Sequence, residues 1–111
     1  MSKVFLLLFL ALIPASSTCA ADHLRLLSYN VWYGFTKVPE RKKSFLKWME
    51  TQNPDIVSLQ ELNGYTADKL KADAAAWRHP HSAILKEDGF PTGITSRFPI
   101  EEVRRFREGF Q

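Results

Sequence analysis

Asp55-Ile56-Val57-Ser58-Leu59-Gln60-Glu61 is the stretch on which the fold turns. It is nearly all apolar until its end, the pattern of a strand rather than a surface loop. Thirty-one positions before Glu61 stands Asn30, near the end of a similar run, Leu24-Arg25-Leu26-Leu27-Ser28-Tyr29-Asn30-Val31. That run is apolar on both alternating faces and predicts a central strand buried on both sides. The segment between them predicts a helix. Pro39 suits its first residue. Phe45, Trp48 and Met49 make one apolar face, and Glu40, Arg41, Lys42, Lys43, Lys47 and Glu50 cover the rest. Asn53-Pro54 ends the helix, because the residue before proline avoids helical geometry. Strand, helix and strand over this length make a βαβ unit.

The pattern continues outward. Asn63-Gly64 turns the chain, and a second helix runs from about Thr66 to Trp77 with Leu70, Ala74 and Trp77 on one side. His81 to Leu85 reads as a third strand and Gly93 to Ser96 as a short fourth; Pro99 to Phe106 is a candidate fifth. Trp48 and Trp77 are expected in the core. The order of elements is that of an α/β fold. No repeat or low-complexity tract interrupts it.

Composition narrows the class. The 111 residues are 45% hydrophobic and 24% charged, within the globular range, which excludes a wholly disordered chain, collagen and coiled coil. A net charge of +3 is too mild to argue for nucleic acid alone. Residues 1–20 read as a signal peptide. Lys3 supplies the positive end, Val4 to Ile13 the apolar centre, and Ala15 to Ala21 the small-residue cleavage region. The apolar centre spans ~15 Å as a helix, against ~30 Å of hydrocarbon, so no stable membrane anchor is expected. The expected location is secreted or periplasmic, with cleavage near Ala20 or Ala21. Cys19, the one cysteine, lies in this leader, so residues 21–111 can form neither a disulfide nor a cysteine metal site.

Asn30 and Glu61 are the candidate site. Parallel strands place their carboxyl ends on one sheet edge, where ligand sites of open α/β sheets form. Glu61 shares the alternation of Val57 and Leu59, so its carboxylate needs a partner, a proton or a metal. A hard oxygen ligand suits Mg²⁺, Mn²⁺ or Ca²⁺. Asn30 can orient that carboxylate, hold a metal-bound water or donate to a phosphate oxygen. The plain alternatives are a turn-forming Asn and a solvated Glu. His79 and His81 form a second conceivable metal pair, with ordinary exposed imidazoles as its alternative. Trp32, Tyr33 and Phe35 stand where they can stack on a base or pack the loop. Arg41-Lys42-Lys43 with Lys47, and Arg104-Arg105-Arg107, read as solvated faces able to meet phosphates.

Three motifs carry a resemblance. Leu27-Ser28-Tyr29-Asn30-Val31-Trp32, Pro54-Asp55-Ile56-Val57-Ser58-Leu59-Gln60-Glu61 and Gly93-Ile94-Thr95-Ser96-Arg97-Phe98-Pro99-Ile100 resemble, in order, motifs of the endonuclease/exonuclease/phosphatase, or DNase I-like, superfamily. The resemblance implies a four-layer αββα sandwich, of which residues 21–111 are the N-terminal portion. It implies a divalent-metal-dependent phosphoesterase, which the leader over residues 1–20 makes an exported one. Glu61 is then the metal carboxylate and Asn30 the asparagine near metal and scissile phosphate, both catalytic. Ser96 and Arg97 are mainly structural, with a substrate-binding option for Arg97. The implied cofactor is Mg²⁺, or Mn²⁺ or Ca²⁺. The implied partner is a phosphate ester: nucleic acid, a phospholipid headgroup or a small phosphodiester. No protein partner is implied. The family's aspartate-any-asparagine motif and its catalytic histidine are absent, so the chain is expected to be a fragment inactive alone. The competing expectation is a secreted, non-enzymatic binding module on the same scaffold.

Overall fold

The computed structural model describes residues 23–105. The leader expected over residues 1–20, and Phe106 and Arg107, lie outside the described residues. Four strands form one mixed sheet: β1 (Leu26–Asn30), β2 (Ile56–Gln60), β3 (His81–Lys86) and β4 (Thr92–Ser96). Their order across the sheet is β1-β2-β4-β3. β1 and β2 pair in parallel from Leu26↔Ile56 to Asn30↔Gln60. β4 runs antiparallel to both β2 and β3. The fold is α/β, with a mixed sheet and two helices, compatible with part of a DNase I-like fold.

The βαβ unit is present. A single 3₁₀ turn, Pro39–Arg41, leads into α1 (Lys42–Gln52), so the helix proper starts three residues after Pro39. α1 ends at Asn53, which adopts the left-handed conformation (φ 46°) before Pro54. α2 (Ala67–Ala76) starts at Thr66, whose side chain accepts a hydrogen bond from the Lys69 N–H and so caps the helix. Phe45 and Met49 of α1, Leu70, Ala74 and Trp77 at α2, and Val57 and Leu59 of β2 share one core. Gly93 lets this core close. A Cβ there would stand 2.6 Å from Leu62 Cδ1 and 2.9 Å from Leu70 Cδ2.

Three expectations about strands and packing need correction, and a fourth concerns His79. The Leu24–Val31 run is an edge strand, not a central one, because β1 pairs with β2 alone among the described residues. Leu24 and Leu26 stay 59% and 69% exposed. A two-faced apolar pattern reports suitability for burial, not the presence of a covering layer. Trp48 is likewise 41% exposed, resting on Tyr29 at 5.6 Å rather than inside the core. No strand forms over residues 99–105.

Two polar clusters tie the layers together. Asp73, buried on α2, accepts from the Tyr65 hydroxyl at 2.6 Å and pairs with Lys42 of α1 at 3.1 Å. Burial first, then the Asp73 carboxylate, pushes the Tyr65 hydroxyl far above its ordinary range. His79 is buried, contrary to the exposed reading. Its Nε2–H donates to the Pro54 carbonyl at 2.7 Å, so the neutral ring's Nδ1 accepts from Thr95 Oγ1 at 2.8 Å. Thr95 Oγ1 in turn accepts from Trp77 Nε1–H at 3.0 Å. With both ring nitrogens engaged, His79 cannot serve in a metal pair with His81.

Burial, with a contribution from the Arg97 charge, lowers the His79 pKa below its ordinary 6.5. A folded-state value below the unfolded one favours the neutral ring. Its stabilising contribution is complete above about pH 6.5 and is lost as pH falls through the folded value. Thermal melts are expected to show a falling midpoint below that pH, with a smaller fall in His79→Gln. Gly93→Ala is expected to cost about 1–3 kcal/mol in a urea melt, through overpacking against Leu62 and Leu70.

Candidate functional site

The parallel pairing delivers Asn30 and Glu61 to one sheet edge. Asn30 is the last residue of β1, opposite Gln60, and the Val31 N–H still reaches the Gln60 carbonyl at 3.0 Å. Asn30 Nδ2 donates to Glu61 Oε1 at 2.9 Å. The other side of the same amide is also used: Asn30 Oδ1 accepts from the Trp32 N–H at 2.9 Å. The structure thus joins the two residues that spacing alone selected, and it gives Asn30 a fixed orientation.

Glu61 reaches this position by breaking its strand's alternation. Continued extension would leave it on the Val57 and Leu59 face. Instead its φ is 57°, in the left-handed region, and its side chain is half-buried beside Asn30. A second contact comes from the loop after β1. The Tyr33 N–H donates to Glu61 Oε2 at 3.2 Å, and the Gly34 N–H to the Glu61 carbonyl at 2.6 Å. These two backbone donors were invisible in the sequence. The only pointer to them was a glycine set within an aromatic run.

That loop is itself strained. Trp32, Tyr33, Gly34 and Phe35 have φ of 46°, 54°, 61° and 65°, one turn of left-handed helix closed by Phe35 N–H to the Val31 carbonyl at 2.9 Å. Each L-residue costs about 1–2 kcal/mol in that conformation. The surroundings hold it nonetheless: Phe35 is in the core, 5.0 Å from Phe45 between ring centroids. Trp32 is 54% exposed at the rim, while Tyr33 meets Phe90 edge-on at 5.7 Å. The aromatic run therefore divides, one ring packing and two facing outward. A cleft of about 400 Å³ adjoins Asn30, lined by Tyr29, Trp32, Phe35, Arg41, Phe45 and Trp48.

Arg97 is not brought to this edge. It lies beyond the other end of β2, where its guanidinium donates to Asn53 Oδ1 at 2.7 Å and pairs with Asp55 at 3.4 Å. Five strand residues put that end roughly 17 Å from Glu61. Arg97 thus ties Asn53 to Asp55, in keeping with its mainly structural reading, and stands apart from the Asn30–Glu61 edge. Of the basic faces, Lys42 is engaged by Asp73, Arg104 by Glu102, and Arg105 by the Ile84 carbonyl.

The donor set fits a hydrated hard cation held at one point. Each Glu61 oxygen accepts one hydrogen bond and keeps lone-pair capacity. Among the described residues no group of three or more His, Cys, Asp or Glu assembles. Mg²⁺ is commonly bound in this manner, by one or two carboxylates plus waters and substrate phosphate.

Residues 27–108 match the Endonuclease/Exonuclease/phosphatase family. The match spans well over half of the chain, and the protein belongs to that family. The family's activity is phosphoesterase-type hydrolysis, generally divalent-metal dependent, on phosphoester substrates such as nucleic acids. No curated protein matches the sequence.

If the Asn30 amide organises the edge as described, Asn30→Ala frees the Trp32 N–H from its acceptor. Hydrogen exchange at Trp32 is expected to accelerate at least severalfold, with a stability loss of about 1 kcal/mol. Unchanged protection at Trp32 would show that this contact does not hold the loop.

Proposed function

We propose that this chain is part of an exported, divalent-metal-dependent phosphoesterase, with Glu61 as metal ligand and Asn30 as its positioning partner. The observation that supports this reading most directly is the Asn30 Nδ2 to Glu61 Oε1 hydrogen bond at the carboxyl edge of two parallel strands. Mg²⁺ is the proposed cation, with Mn²⁺ or Ca²⁺ as chemical alternatives of the same hard class. When bound, such an ion neutralises charge developing on phosphoryl and leaving oxygens.

The chain's own residues supply orientation. Asn30 and the Tyr33 N–H hold the two Glu61 oxygens from different sides, which fixes the plane of the carboxylate. Preset ligands of this kind need little rearrangement when a phosphate group arrives. The exposed Trp32 and the adjoining cleft border the place where the ester's organic portion would lie. Substrate is proposed only as a phosphate ester, and the 111-residue chain alone is proposed to be inactive.

The decisive comparison uses the protein translated through the whole coding frame, beside the 111-residue chain. Glu61→Gln is expected to remove at least 99% of divalent-dependent hydrolysis of a phosphodiester while leaving the melting midpoint in place, on the scale of about 2.7 kcal/mol of lost transition-state stabilisation. Turnover at the wild-type rate in that variant would sink the assignment. Robust turnover by the purified 111-residue chain would refute its proposed inactivity.

A further inference from the structure

We propose that the left-handed turn Trp32–Phe35 is the positioning device for the Glu61 carboxylate, with Gly34 as the residue that makes it possible. The inference rests on the reading of Glu61 as a metal ligand and extends it to a residue outside the ligand set.

Glu61 lies in a left-handed conformation that its own strand does not impose. Three contacts account for where its carboxylate points. Asn30 Nδ2 holds Oε1, the Tyr33 N–H holds Oε2, and the Gly34 N–H holds the backbone carbonyl at 2.6 Å. Two of the three come from consecutive residues of one left-handed turn. In an extended loop, successive N–H groups point to opposite sides and would not face the same residue. The unusual backbone of residues 32–35 thus has a geometric consequence at Glu61 itself.

Gly34 is the tightest point of this arrangement. A Cβ added there would run into the Asn63 carbonyl oxygen, with the Asn63 carbonyl carbon at 3.1 Å and Tyr65 Cδ2 at 3.3 Å. Asn63 is backbone two residues after Glu61 and cannot swing aside as a flexible side chain would. Any larger residue at position 34 therefore pushes the 61–63 segment away from the turn and separates the donors from Glu61. Gly64 provides a built-in control. Its φ of 77° is equally left-handed, yet a Cβ there meets nothing within 4 Å. Alanine at either site introduces backbone strain, but only at 34 does it displace the Glu61 loop.

Mn²⁺ is the probe, titrated into the 111-residue chain and followed by water-proton relaxation, with circular dichroism to verify the fold. Wild type, Gly34→Ala, Gly64→Ala and Glu61→Gln are compared. Supporting shells around metal ligands are worth about 10–100-fold in affinity. Gly34→Ala is expected to raise the Mn²⁺ Kd about tenfold or more. Gly64→Ala is expected to keep the wild-type Kd, and Glu61→Gln to abolish binding. A folded Gly34→Ala with wild-type Kd overturns the positioning role, as does an equal loss in both glycine variants; loss in Glu61→Gln then leaves the metal reading standing. Wild-type binding by Glu61→Gln overturns that reading and this proposal with it. If Gly34→Ala does not fold, an amide-to-ester replacement at Tyr33 deletes just the N–H that meets Oε2. A raised Kd there supports the proposal, and a wild-type Kd overturns it.

Discussion

The parallel pairing of β1 with β2 constrains everything else in the described structure. Parallel neighbours cannot be joined by a hairpin, so the chain must cross over, and α1 is that crossover. The pairing register, Leu26↔Ile56 through Asn30↔Gln60, then leaves Asn30 and Glu61 adjacent at one edge. Shifting the register by one residue would invert every side chain of β1 and take Asn30 away from its carboxylate. The hydrogen bond at the site is thus a consequence of backbone pairing more than of any attraction between the two side chains.

The two ends of β2 have different tasks. At the amino end, Asp55 accepts from the Arg25 N–H and pairs with Arg97, while the Pro54 carbonyl takes the buried His79. Asn53 receives both Arg78 and Arg97. These contacts bind β1, β4 and the end of α2 to one place. The carboxyl end carries more of the backbone strain, concentrated in residues 32–35 and at Glu61. Strain of this kind persists where neighbouring contacts over-determine it, and it gathers at functional sites. The Phe35 ring in the core and the N–H groups turned toward Glu61 are the neighbours that hold it here.

Much of this was legible in the chain. Periodicity located α1 and α2 to within a few residues, and the turn signals bounded the strands. The Asn30–Glu61 juxtaposition followed from two apolar runs joined by one helix. Other features were not legible because they depend on neighbours. Leu26 and Trp48 look like core residues, yet no described layer covers them. His79 looks like a loop imidazole, yet Thr95 and Pro54, distant in sequence, enclose it. Arg97 follows a motif serine, but antiparallel pairing places it at the far end of β2.

The sequence by itself determined the order of elements, the parallel unit and the two residues at its edge, since periodicity and crossover length are local properties. Three tight motifs in order were also enough to indicate the family. The tertiary structure alone decided how Glu61 is held. Its left-handed φ, the donors from Tyr33 and Gly34, and the contact that reserves position 34 for glycine arise where two loops meet. That meeting brings together residues about thirty positions apart, and no local propensity encodes which N–H groups will face one another across it.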